Sequence, residues 1–129
     1  MAHAVVEWTD NLEGDFDIKK FLSLIAEIMR ERSDGVFPVG GIRVRGVKLT
    51  DYVIADGKST DDAFINIEVL MGAGRSDEFK QQFFDQMWDR LNEYLGDLYD
   101  RRPFAMTLYV FESKGWKKNS IHKLGLEAG

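Results

Sequence analysis

Ala63-Phe-Ile-Asn-Ile-Glu-Val-Leu-Met71, then Gly72-Ala-Gly-Arg75 and Ser76-Asp-Glu78, is the stretch that decides the fold. The first run is apolar and β-branched, and it reads as a strand whose two faces are both largely apolar. Such strands are buried on both sides or lie at an interface. The glycines turn the chain. Ser76 reads as a helix N-cap, with Asp77 and Glu78 in the first turn, where the helix dipole favours negative charge. Phe79, Phe83, Met87, Leu91, Tyr94 and Leu98 follow at helical spacing, and Arg101-Arg102-Pro103 stops the helix. Phe104 to Glu112 reads as the next strand.

The same order recurs toward the amino terminus. Ala4 to Trp8 is a short valine-rich strand, and Asp10, Asn11 and Gly14 mark the turn after it. Asp17 caps a helix with Ile18, Phe21, Leu22, Ile25 and Met29 on one stripe, ended by Ser33-Asp-Gly35. Phe37-Pro-Val-Gly-Gly41 is a loop. Ile42-Arg-Val-Arg45 alternates as a half-buried strand. Val47 and Leu49 continue out of phase, so a bulge is expected at Gly46. Strand, helix, strand, repeated, is a double β-α-β unit. It predicts an α/β (α+β) protein with a four-stranded sheet and two helices on one face, as one domain over residues 1–129. The helices suffice for one face only, so the other is expected to meet further copies of the chain.

Composition bounds the chemistry. The 129 residues carry a net charge of -5, which argues against nucleic acid, whose phosphates need a basic field. There are no cysteines, so thiolate nucleophiles and cysteine-based metal sites are excluded. The two histidines, His3 and His122, lie at opposite ends of the chain, and no metal site is expected from them. The start has no basic segment before an apolar run, and no apolar stretch has membrane length; a cytoplasmic protein with no membrane partner is expected.

Arg43 and Arg45 sit two apart on a strand and share a face; Arg75 follows a Gly-x-Gly turn at a helix N-terminus. Guanidiniums and free backbone N–H groups suit a small carboxylate. Isolated arginines on a strand are usually solvated or in surface pairs, and spacing alone leaves both readings open. The Gly72-x-Gly74 turn lacks the further glycines and the lysine of the nucleotide-binding loops, and a tight turn accounts for it.

Whole motifs are more specific. Phe37-Pro-x-Gly-Gly-Ile-Arg-x-Arg45, Ala55-Asp-Gly57, and Ile67 to Met71 with Gly-Ala-Gly-Arg-Ser76 resemble the 5-carboxymethyl-2-hydroxymuconate isomerase family of the tautomerase superfamily. So do x-His3-x-x-Val-Glu7 with Asp10-Asn11, and Asn119-Ser-Ile-His122. The resemblance implies a homotrimer. It also implies cofactor-free keto–enol tautomerisation of a small unsaturated dicarboxylate in the breakdown of homoprotocatechuate, an aromatic compound. It makes Arg43 and Arg75 candidates for holding carboxylates. Arg45 matches with a less defined role, and Phe37 is a candidate apolar wall. The family's base is an amino-terminal proline, exposed when the initiator methionine is removed. Ala2 stands at that position here. A free Ala2 amine titrates near about pH 8 in water, and an apolar pocket or nearby guanidiniums would lower that value. With Met1 retained, the nitrogen is an amide and no base. Three readings follow: an isomerase, a non-catalytic trimer that binds a small anion, or other superfamily chemistry such as hydration or decarboxylation.

Overall fold

In the computed structural model the described residues are 2–32 and 37–121, with Arg32 described by its backbone alone. The expected helix stop at Ser33–Gly35 and the motif residue His122 lie outside them. The strands are β1 (Ala2–Thr9), β2 (Ile42–Leu49), β3 (Ala63–Gly72) and β4 (Phe104–Ser113). Helix α1 (Ile18–Arg32) joins β1 to β2; α2 (Asp77–Leu95) and a short α3 (Leu98–Arg101) join β3 to β4. The sheet order is β2-β1-β3-β4. β1 runs parallel to β2, β3 runs parallel to β4, and β1 and β3 pair antiparallel at the centre. Each β-α-β unit is therefore one half of a continuous sheet.

Period-two alternation sorts the strands cleanly. Ala2, Ala4, Val6 and Trp8 of β1 and Ala63, Ile65, Ile67, Val69 and Met71 of β3 are buried under the helices. Phe21, Ile25, Ile28 and Met29 of α1 and Phe83, Met87 and Leu91 of α2 meet them. The expected caps form: Asp17 Oδ1 accepts from Lys20 N–H at 3.2 Å, and Ser76 Oγ accepts from Phe79 N–H at 3.0 Å.

Three expectations change. The helix after Ser76 does not run through Leu98. It ends at Leu95, because Gly96 takes φ +62, and Leu98 is buried from a separate turn of helix. Leu95 accordingly takes the core position expected of Tyr94, which is 37% exposed. Next, β3 is apolar on its helix face only. Its open face carries Asn66 and Glu68 between Phe64 and Leu70, and Asn66 donates to Glu68 and accepts from Thr107.

Finally, β2 has no bulge at Gly46. Residues 42–49 pair one for one with residues 2–9. The phase of the strand is constant; what changes along it is the open face, which goes from Arg43 and Arg45 to Val47 and Leu49. The glycine answers a packing need instead, since a Cβ there would lie 3.3 Å from Ile18 Cγ1 and from Leu22 Cδ1 of α1. Gly46→Val should lower stability by about 1 kcal/mol, overpacking outweighing the recovered backbone entropy. Urea unfolding checks this, and an unchanged midpoint would show that α1 can shift away at no cost.

Candidate active site

The two ends of the sheet differ in how their charges are settled. At the end holding the β1 carboxyl terminus, Arg102 donates to Asp15 Oδ2 at 2.7 Å, Asn11 O at 2.8 Å and Asp61 O at 2.6 Å. Arg101 joins Asp97 and Asp15 there, and Tyr52 O–H donates to Asp10 at 2.7 Å. Every cation in that cluster has a carboxylate, so its role is to tie loops to strand ends.

The opposite end holds Ala2, in register with Ile42 and Met71, and Arg43, in register with His3. Among the described residues neither Arg43 nor Arg45 pairs with a carboxylate. Both lie on the open face, Arg43 directly beside His3 and Arg45 beside Val5. Arg45 Nη1–H reaches His3 Nδ1 at 3.4 Å. A guanidinium only donates, so Nδ1 is the acceptor and the neutral imidazole carries its proton on Nε2. Among the described residues that nitrogen is buried with no hydrogen-bond partner. Burial holds the His3 imidazole below its ordinary value of 6.5, and the Arg45 and Arg43 guanidiniums press the same way.

This sets a pH dependence. Above the ordinary value neither folded nor unfolded chain protonates His3. As pH falls through 6.5, the unfolded chain takes up the proton first, so native stability drops until the pH passes the lowered folded value. Between about pH 7.5 and 5.5 the parent should lose more stability than His3→Gln does. Equal losses in paired urea titrations would remove His3 as a source of the effect.

Arg75 and Phe37 meet on the other side of the strand end. The Arg75 guanidinium carbon stands 4.8 Å from the Phe37 ring centroid, and its Nη1–H donates to Gly72 O at 2.7 Å. Phe37 is fully buried, edge-on to Phe83 at 5.2 Å and packed against Phe79 at 6.1 Å. The ring and the carbonyl hold the guanidinium just before α2. Ala2 is fully buried, with Ile42 and Met71 in register on its flanks, so its side chain occupies apolar space. The expected residues thus form two groups, Arg75 with Phe37 and Arg43 with Arg45, at the sheet end that begins with Ala2. From sequence, His3 carries only the expectation that it forms no metal site. Its place between two arginines comes from strand pairing, which no local spacing reveals.

The strand order and the layered core match known proteins. The chain matches the family model described as 5-carboxymethyl-2-hydroxymuconate isomerase over residues 2–124. A relative from Escherichia coli named 5-carboxymethyl-2-hydroxymuconate Delta-isomerase is 28% identical over 127 residues, covering 96% of this chain and 98% of its own length. The crystal structure of a 5-carboxymethyl-2-hydroxymuconate isomerase from Deinococcus radiodurans R1 superposes with TM-score 0.87 at 34% identity, over 95% of this chain and 92% of that one. A fused 4-OT described as a symmetric trimer shares the fold, with TM-score 0.58 at 20% identity over 91% of this chain and 95% of that one.

Two β-α-β units closed into one sheet, with these relatives, define an isomerase of the tautomerase superfamily. Within it, the chain belongs to the 5-carboxymethyl-2-hydroxymuconate isomerase family. Among the described residues, no helix is long and apolar enough to cross a membrane.

Proposed function

We propose that the protein tautomerises a small unsaturated polycarboxylate of the 5-carboxymethyl-2-hydroxymuconate type, without a cofactor, in aromatic catabolism. The observation that carries this reading is the contrast between the two sheet ends. Cations are neutralised at one end. At the other, Arg43 and Arg45 face no described carboxylate, beside the residue that stands where the family keeps its base. In this mechanism the amine of Ala2, freed by loss of Met1, takes the enol hydroxyl proton, and a proton returns to carbon as the diene becomes an unsaturated ketone. Arg43 and Arg75 hold substrate carboxylates on either side of the strand end, and Arg45 adds positive potential. Phe37, buried behind Arg75, keeps that guanidinium in place. An apolar pocket disfavours an ammonium, the direction that suits a free amine to act as a base.

Ala2 itself favours a second reading: a homologue of impaired activity that still binds a small polyanion. Following the loss of a conjugated enol in the ultraviolet separates the two. Turnover by protein whose intact mass shows Ala2 as the amino terminus supports the isomerase. Ligand-dependent stabilisation without turnover supports the binder.

The assembly proposed for either reading is a homotrimer, as described for the fused 4-OT neighbour. Val47, Leu70, Tyr109 and Phe111 are between 43% and 53% exposed on the helix-free face, an apolar set that copies of the chain would cover. Sedimentation equilibrium at micromolar concentration should give three times the 14.8 kDa chain mass; a monomer would defeat this assembly.

A further inference from the structure

The segment after β4 crosses the site end of the sheet from one edge to the other. It leaves β4 at Ser113, and Asn119 Nδ2–H then donates to Gly40 O at 2.8 Å beside the start of β2. Ile121 lies in the groove between α1 and β2 with Leu22 and Val44. Between these anchors the segment roofs a cavity of about 290 Å³ lined by His3, Leu70, Met71, Gly72, Lys114 and Lys117. His3 is the residue after Ala2, so the cavity adjoins the candidate base.

The lining has a definite chemistry. Among the described residues, the ionisable groups that line it, His3, Lys114 and Lys117, are all basic, and no carboxylate does. Among the described residues neither lysine has an ion pair. The cavity between α2 and β4 is the contrast: there Lys80 is already neutralised by Asp77 at 3.2 Å and Glu112 at 2.9 Å. Leu70 and Met71 give the basic cavity an apolar floor suited to a short carbon arm. His3 adds the Nε2–H donor that no described residue pairs.

We propose that this cavity is the subsite for a substrate's third carboxylate, held by Lys114 and Lys117. The inference rests on the function proposed above and deepens it. The name 5-carboxymethyl-2-hydroxymuconate describes a dienedioate with a carboxymethyl arm, three carboxylates in all. Arg43 and Arg75 account for two, and the roofing segment supplies the cations for the arm. Lys114 and Lys117 are therefore specificity-determining residues: they select a branched tricarboxylate over a linear dicarboxylate and take no part in proton transfer.

Calorimetric binding of adipate and of its carboxymethyl derivative tests this. Both are saturated stand-ins that cannot tautomerise, and they differ only by the arm. The parent should bind the carboxymethyl compound about tenfold more tightly, as one charge-assisted contact provides. Lys114→Met/Lys117→Met should erase that preference and leave adipate affinity unchanged, whereas Lys118→Met, just outside the cavity lining, should keep it. A parent without the preference, or a double variant that retains it, overturns the subsite. Arg43→Ala tests the underlying reading separately by weakening both compounds alike. If adipate binding ignores Arg43 while the lysine effect persists, the dicarboxylate pocket fails and the lysine subsite stands. If the parent binds neither compound, both fail together.

Discussion

Ala2→Pro, processed so that the proline is the amino terminus, is expected to raise tautomerase activity about tenfold or somewhat more. A positioned general base is typically worth about 10²–10⁴-fold, and a free Ala2 amine retains part of that. The structure supplies the reason for the rest. Position 2 opens the central strand β1, fully buried between Ile42 and Met71. A proline is tolerated at the first residue of a strand. Its ring fixes the direction of the nitrogen lone pair, where a primary amine rotates and must be ordered for each transfer. The ring also extends into the apolar space that now holds only a methyl group, which keeps water from the base. The assay follows a conjugated enol such as 2-hydroxymuconate or phenylenolpyruvate, with intact mass confirming residue 2 as the amino terminus in both proteins. A correctly processed, trimeric Ala2→Pro variant that is inactive on every enol would leave the isomerase reading without a mechanism, and the anion-binding reading would replace it.

Arg43→Ala is expected to weaken binding of a dicarboxylate by about 2 kcal/mol, roughly 30-fold in Kd, the usual worth of a hydrogen bond to a charged group. The loss should appear as disappearance of most of the ligand-induced rise in melting temperature, which follows from mass action. Arg43 is partly exposed on the open face of β2, against His3 and with no described carboxylate, so its removal leaves no buried partner stranded. Folding should therefore survive, and the variant reads binding alone. Unchanged dicarboxylate affinity would put the pocket elsewhere. Arg75→Ala is a less clean probe, because its guanidinium also caps the Phe37 ring and holds the Gly72 carbonyl.

Much of the candidate site was legible because its residues lie at points of local punctuation. Arg75 follows the Gly72-x-Gly74 turn, Arg43 opens a strand after Gly40-Gly41, and Phe37 precedes Pro38. Lys114 and Lys117 carried no such signal. They belong to an aperiodic tail, and only its anchoring by Asn119 on Gly40 brings them to His3 across the sheet. Arg101 and Arg102 read as a helix stop, yet in the fold Arg102 clamps segments from residues 11, 15 and 61.

By itself the sequence determined the four strands, the two long helices and their order. Those follow from local rules: the 3.6-residue period of α1 and α2, the apolar β-branched runs of β1 and β3, the caps at Asp17 and Ser76. It also excluded thiol chemistry by having no cysteine. Only the tertiary structure decided why Gly46 is a glycine, because the atoms it must admit belong to Ile18 and Leu22, far away in the chain. The same holds for the break at Gly96, where helical spacing alone would carry the stripe on to Leu98. The grouping of cations was likewise settled by strand pairing. The register that sets His3 beside Arg43 is a long-range hydrogen-bonding choice, and the charges it gathers or neutralises at each end of the sheet come from segments that the chain order keeps apart.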